Sequence, residues 1–144
     1  MPPSIHQCER RAILEFDISA IPEDAYIKNA ILRLGKYSSS LTTPQTNIYG
    51  FIGNGVLDAA DVIQTDNLLA AALPDLWTVE VTSFVQNLVD NSDSYAGFLG
   101  IETKDYANRN YGYFRLKVNY IPEPATILLL GLGAIAIRKR RRQR

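Results

Sequence analysis

The chain has 144 residues, of which 15 are basic and 15 acidic, so its formal net charge at pH 7 is zero. This length suits one domain. The charge is unevenly spread, because residues 138–144 hold six cations and residues 1–124 hold nine cations against fifteen anions. An acidic body lacks the basic face that nucleic-acid binding needs, so we expect no nucleic-acid partner. The single cysteine, Cys8, excludes an intramolecular disulfide.

Alternation of apolar and polar residues predicts most of the secondary structure. In residues 10–18 (RRAILEFDI), every second side chain is apolar, which is typical of a half-buried strand. Pro22 then interrupts the pattern, and residues 26–37 repeat it. The same pattern predicts a strand at residues 77–81, and the sequence predicts further strands at residues 46–52, 96–102 and 112–120.

Two stretches have helical periodicity instead. Across residues 58–73, apolar side chains are spaced for one helical face and three alanines stand in a row, which predicts one or two short helices. Thr82 is a predicted N-cap for a helix over residues 83–90. The sequence therefore predicts a mainly β fold, a jelly-roll-like antiparallel β-sandwich with one or two short helices.

The last residues of the chain fall into three zones. Pro122 and Pro124 fix the backbone and remove two N–H donors. An uncharged apolar run, ILLLGLGAIAI, follows over residues 127–137, and the basic cluster comes last. This order favours a short hydrophobic helix held at the cytoplasmic face of a membrane by its positive end. The alternative is a core element of a soluble domain, because a helix from Ala125 to Ile137 would span only about 20 Å and a bilayer core needs about 30 Å.

Residues 121–144 resemble the PEP-CTERM sorting signal of Gram-negative bacteria, which has a Pro-Glu-Pro triplet, a short apolar helix and an Arg-rich end in the same order. The resemblance implies processing by exosortase, a membrane-embedded cysteine protease-transpeptidase. It would cut near Pro122, Glu123 and Pro124, and the body would go to the cell surface or the exopolysaccharide matrix. The membrane segment would run from Ala125 to Ile137. Its basic anchor would be Arg138, Lys139, Arg140, Arg141, Arg142 and Arg144.

The body carries a second resemblance, to the DNRLRE domain, a bacterial surface module related to carbohydrate-binding module family 96. The matching pieces are RAILEFDIS with Ile21-Pro22, the strand AILRL, the stretch VEVTSFVQNL and the closing strand RLKVNY. The resemblance implies a two-sheet sandwich over residues 10–120, and its fuller members bind polysaccharide.

The start of the chain fits neither resemblance. The first residues, MPPSIHQCERR, contain no apolar signal-peptide core. The DNRLRE family also has further strands before the Arg-Ala start. We therefore expect truncation at the N-terminus, with residues 1–9 disordered or a remnant of upstream strands.

No residue pattern indicates catalysis, a metal or a cofactor. His6 and Cys8 lack the further ligands of a metal site and the fold that would orient a nucleophile. Asp58 and Asp61 read as a cap and a solvated side chain rather than an acid/base pair. Residues 90–94 (DNSDS) offer oxygen ligands for Ca²⁺ but lack the glycine and glutamate of an EF-hand loop. Residues 53–55 (GNG) lack the Lys-Ser/Thr of a phosphate loop.

An aromatic cluster is the best candidate for ligand binding. Sugars stack on aromatic faces while amide and guanidinium groups hydrogen-bond their hydroxyls. The alternative is that these tyrosines simply cover the sheet. The candidate glycan contacts are Tyr106, Asn108, Arg109, Tyr111 and Tyr113.

The sequence thus predicts an exported, non-enzymatic β-sandwich. We expect it to be anchored transiently in the inner membrane, then to reach the cell surface or matrix and to hold polysaccharide there. The alternatives are an extracellular carbohydrate-active hydrolase fragment that uses buried carboxylates, and a small, stably membrane-anchored structural protein.

Overall fold

The computed structural model describes residues 10–36, 46–73, 77–102 and 111–122. Within these ranges the chain forms seven strands, one α-helix and a single 3₁₀ turn over Asp61–Ile63. The elements in chain order are β1 (Arg10–Asp17), β2 (Tyr26–Lys36), β3 (Thr46–Ile52), β4 (Leu68–Leu73), β5 (Trp77–Glu80), α1 (Thr82–Asp90), β6 (Tyr95–Glu102) and β7 (Tyr111–Ile121).

The strands form two antiparallel sheets. Sheet A has the order β1-β6-β3-β4, and sheet B has the order β5-β2-β7. Neighbouring strands in both sheets are mostly distant in sequence, as β1 and β6 are, so the pairing depends on long-range contacts. The prediction of a mainly β sandwich with a short helix is confirmed.

The main core lies between the sheets and under α1. Leu32 from sheet B, Ile48 and Phe98 from sheet A, and Val85 from α1 are all buried in it. The ring of Phe98 makes edge-to-face contacts with Phe16 and Phe84, at centroid distances of 5.9 and 5.5 Å. Such pairs add to the free energy gained by burying the rings.

Strand β2 contains a bulge that decides which of its side chains reach the core. The register with β7 shifts between Ile27 and Asn29. A bulge adds one residue to one strand, so the inward positions change parity. Ile27 is buried before the bulge, and Ala30 and Leu32 are buried after it.

Polar side chains of α1 attach the helix to the bulged part of β2. The Ala30 amide donates to Thr82 Oγ1 at 2.9 Å. The Ile27 amide donates to Gln86 Oε1 at 2.7 Å, and Gln86 Nε2 donates to the Ala25 carbonyl at 3.2 Å. Thr82 was predicted as the N-cap, which is wrong: the N-cap is Val81, and the Thr82 hydroxyl serves β2 instead.

A second, smaller core lies on the opposite face of sheet A. Phe51, Leu99 and Ile101 are buried there, with Ile13 and Tyr49 packed against them. These residues alternate along their strands with those of the main core, so sheet A is apolar on both faces. Segment 53–67 connects β3 to β4 and is attached to β1, since the Asn54 and Gly55 amides donate to Glu15 and the Arg11 guanidinium donates to the Val62 carbonyl.

Segment 53–67 does not have the predicted helices. Its only helical part is the Asp61–Ile63 turn, and the alanine-rich stretch Leu68–Leu73 is strand β4 at the edge of sheet A. Helix propensity is a weak preference that tertiary contacts override. Pairing with β3 is such a contact, although its register is irregular. Ala72 has a positive φ of 53°, and its amide donates to Asn47 Oδ1.

Candidate functional site

Strand β7 connects the sandwich directly to the predicted sorting motif. The strand pairs with β2 up to Ile121, which lies opposite Tyr26. Pro122 follows without an intervening loop and has no N–H to extend the ladder. The proposed cleavage region therefore begins where the sheet ends.

The remainder of the predicted tail lies outside the described residues. This applies to Glu123, Pro124, the segment from Ala125 to Ile137 and the basic cluster 138–144. In the part of the chain that is described, no helix has the length and apolar composition needed to cross a membrane. Residues 1–9, which include His6 and Cys8, also lie outside it.

The predicted glycan contacts are described only in part. Tyr106, Asn108 and Arg109 lie outside the described ranges. The backbones of Tyr111 and Tyr113 lie in β7, where they pair with Lys36 and Gly35. This places both tyrosines at the start of β7, and the tail leaves from the other end of the same strand.

The Gly53-Asn54-Gly55 turn uses its amides within the protein. Glu15 of β1 accepts a hydrogen bond from the Gly55 amide at 2.6 Å and one from the Asn54 amide at 3.2 Å. Gly55 has a positive φ of 81°, which glycine adopts without strain. Backbone amides in such turns can hold an anion, and here the anion is the carboxylate of Glu15.

Asp58 and Asp61 stabilise the turn that contains them. Asp61 is buried, and its Oδ2 accepts a hydrogen bond from the Asp58 amide at 2.9 Å. Asp58 Oδ1 accepts one from the Ala60 amide at 2.6 Å. Both carboxylates therefore have a turn-forming role, and Asp61 is not the solvated side chain that the sequence predicted.

The residues after α1 form a tight turn beside a small groove of about 90 Å³. The Asp93 amide donates to the Leu88 carbonyl, and Ser92 adopts a positive φ of 60°. Asp90 accepts a hydrogen bond from Gln86, and Glu23 and Asp93 line the groove. In the described ranges, no group of three or more His, Cys, Asp or Glu side chains could hold a metal ion.

A short loop after β1 changes the acidity of one carboxyl group. The Ser19 hydroxyl and the Ser19 amide both donate to Asp17 Oδ1, at 2.6 and 2.9 Å. These hydrogen bonds favour the charged form and lower the pKa of Asp17 below its ordinary value. Asp17 is fully exposed, so this is a local effect of the loop.

Sequence reasoning missed two polar side chains that make long-range hydrogen bonds. The Glu15 carboxylate accepts hydrogen bonds from backbone amides 39 and 40 residues away in the sequence. The Gln86 side chain bonds to backbone groups 59 and 61 residues away. Gln86 lies in the stretch from Val79 to Leu88, whose resemblance to the DNRLRE domain stays a prediction, and that resemblance is the one signal that could have indicated its importance.

Comparison with known proteins finds one family match. A family model described as a PEP-CTERM protein-sorting motif matches residues 121–143. A comparison with curated proteins finds no match. The matched region begins at the last residue of β7, and the motif supports an exported protein that exosortase processes at its C-terminus.

Proposed function

We propose that this chain is a cell-surface or matrix protein of a Gram-negative bacterium, with a non-catalytic β-sandwich that holds polysaccharide after exosortase has removed the tail. The observation that carries the proposal is the sorting motif over residues 121–143. It starts where β7 ends, so cleavage near the triplet would leave every described strand in the released body.

Before cleavage, the apolar run between Ala125 and Ile137 retains the chain in the inner membrane. The run is short for a permanent span. The cations at 138–144 remain on the cytoplasmic side, where anionic lipids attract them. Removal of this tail changes a neutral chain into an acidic one, because every acidic residue lies in residues 1–124.

The proposed polysaccharide contacts are aromatic, amide and guanidinium side chains that follow β6 or stand at the start of β7. The distance along β7 supports this location. Tyr111 and Ile121 stand at the two ends of the strand, about 33 Å apart at 3.3 Å per residue. A sugar site at Tyr111 and Tyr113 would therefore lie at the opposite end of β7 from the membrane attachment. This arrangement suits a protein that binds matrix material while it is still anchored.

A processing experiment tests the sorting part of the proposal. Pro122→Ala combined with Pro124→Ala removes the two rigid positions of the triplet, and we expect the uncleaved chain to accumulate in the membrane fraction. Pro22→Ala is the matched control, because Pro22 lies in an exposed loop of the body. Normal cleavage of the double variant would contradict the assignment of the triplet.

A glycan array with the full-length protein tests the binding part. We expect Tyr111→Ala and Tyr113→Ala to weaken binding and Tyr26→Ala, at the opposite end of the ladder, to leave it unchanged. Absence of glycan binding by the unaltered protein would remove the polysaccharide role and leave the sorting role intact.

A further inference from the structure

We propose that the end of sheet B from which the tail leaves contacts the lipid headgroup layer of the membrane until the tail is cut. The contacting surface, called here the tail-end patch, consists of Tyr26, Tyr120 and Ile121. This inference rests on the transient membrane retention proposed above, and it adds a surface of the folded body to the contact.

The tail-end patch lies on the last rungs of the β2/β7 ladder. Tyr26 pairs with Ile121, and Ile27 pairs with Tyr120. Ile27 is buried, but Tyr26 is 65 % exposed, Ile121 49 % and Tyr120 40 %. At the point where the sheet ends, Tyr26 and Ile121 are therefore open to solvent on its outer face, and Tyr120 is open to solvent at the rim of the face that carries Ile27.

The length of the chain places this patch next to the membrane. Four residues separate Ile121 from Ala125, the first residue of the apolar segment, and an extended chain spans at most about 14 Å over that distance. The polar layer on each side of a bilayer core is several ångströms thick. The patch therefore lies at the headgroup layer, or just above it, whenever the tail is inserted.

The side chains suit that layer chemically. Tyrosine has an apolar ring and a polar hydroxyl, and it is enriched at membrane–water interfaces for that reason. Ile121 adds an aliphatic surface directly before the triplet. The other large apolar side chains with high exposure lie in β3, β4 and the segment between them, as Ile52, Leu68 and Ile63 do, and none of these elements is joined to the tail.

The charges around the patch indicate which lipid it contacts. Glu23 and Asp24 are exposed in the loop before Tyr26, and Lys28 is exposed after it. This balance gives no attraction to an anionic surface, so the partner is the headgroup layer of zwitterionic lipid. We expect the contact to change little with salt, unlike one that depends on basic residues.

A patch of three side chains binds weakly by itself. While the tail holds the body at the surface, the effective concentration of lipid beside the patch is high and the contact forms. After cleavage that advantage disappears and the body leaves. The patch thus holds the triplet at a fixed depth for exosortase without preventing release of the product.

The test uses the full chain in phosphatidylcholine nanodiscs that contain some lipid with a nitroxide on its headgroup. Paramagnetic broadening of amide NMR signals reports distance from the headgroups. We expect the signals of Ile21 and Lys28, which flank Tyr26 in sequence, to be broadened severalfold more than that of Ile63. The variant Tyr26→Ser should reduce this broadening, and the matched control Ile63→Ser, at a residue 70 % exposed, should not.

The outcomes separate the two levels of the proposal. If the chain does not enter the nanodiscs, membrane retention itself is wrong and the inference fails with it. The chain could instead enter the nanodiscs with equal broadening at Ile21, Lys28 and Ile63, or with broadening that is unchanged in Tyr26→Ser. Either result would leave membrane retention intact and show that the tail-end patch does not contact lipid. Loss of broadening in high salt would also contradict an apolar contact.

Discussion

The outer faces of the two sheets differ in what covers them. On sheet A, the outer face is apolar, and Phe51, Leu99 and Ile101 are buried there. On sheet B, the outer face carries Arg33, Arg115 and Lys117, all of them exposed. The same sandwich therefore has one sheet that is buried on both faces and one that meets solvent on one face.

This difference is visible in the sequences of the strands. Strand β7 alternates strictly over residues 114–119, from half-buried Phe114 to exposed Asn119. Strand β6 (YAGFLGIE) is buried along most of its length and has no polar alternation. Strands covered on both faces are expected to read as nearly continuous apolar runs. The comparison shows that β6 lies between two buried faces, whereas β7 has one face in solvent.

The largest effect is expected from Leu99→Ala, because Leu99 is fully buried on the outer face of sheet A. Removing such a side chain typically costs about 2–5 kcal/mol. Ile31→Ala, on the half-buried outer face of sheet B, should cost much less. Urea unfolding of the full chain in mild detergent measures both free energies of unfolding. Equal losses would mean that the outer face of sheet A is no better covered than the outer face of sheet B.

The next effect concerns the fit of Phe51 against Gly97. A Cβ at Gly97 would lie 2.4 Å from the Phe51 ring, closer than real contacts allow. We expect Gly97→Ala to destabilise the fold by about 1–3 kcal/mol through overpacking. Gly100→Ala is the matched control in the same strand, because its nearest neighbour would be Ile48 at 3.5 Å.

A thermal melt of both glycine variants measures this contrast. Addition of Phe51→Leu to Gly97→Ala should restore part of the lost stability, since the smaller side chain yields space. If Gly100→Ala lowers the melting temperature as much as Gly97→Ala does, crowding by Phe51 is not the cause.

A smaller loss of stability is expected where segment 53–67 is attached to β1. Glu15→Gln removes the charge that accepts hydrogen bonds from the Asn54 and Gly55 amides. The loss should be roughly 1 kcal/mol. Hydrogen exchange should show faster exchange of the Gly55 amide. Glu23→Gln, which alters an exposed loop charge, should leave that exchange rate unchanged.

The smallest effect is expected on the open face of sheet B. Arg33 and Arg115 lie directly opposite each other in the β2/β7 register. Like charges in this position are unfavourable, and an opposite pair contributes about 0.2–1 kcal/mol. Arg33→Glu should therefore raise stability slightly at low salt and lose this gain at high salt. A decrease in stability at low salt would show that the two side chains do not interact across the strands.

The sequence predicted the strands with strong alternation and did not predict how they pair. The ranges of β1, β2, β3, β5 and β7 follow from period-two patterns, and only their ends differ. The order β1-β6-β3-β4 depends on contacts between distant segments, which a local pattern does not contain. Strand β4 was predicted as helix because alanine propensity is local, whereas its pairing with β3 is not.

The sorting motif was the part of the candidate site that sequence could predict. Its order of proline triplet, apolar run and basic end is contiguous, so it can be read without a fold. The contacts of Glu15 and Gln86 could not be predicted in this way, because their partners lie far along the chain. The glycan contacts at Tyr106, Asn108, Arg109, Tyr111 and Tyr113 stay a prediction.

The central claim is that the body is exported and separated from its tail at the motif over residues 121–143. Intact mass spectrometry of the protein released from the cell surface tests it most directly. We expect a mass that lacks residues 127–144 and, in cells without exosortase, only the uncut chain in the membrane fraction. A released form that retains residues 127–144 would contradict the claim.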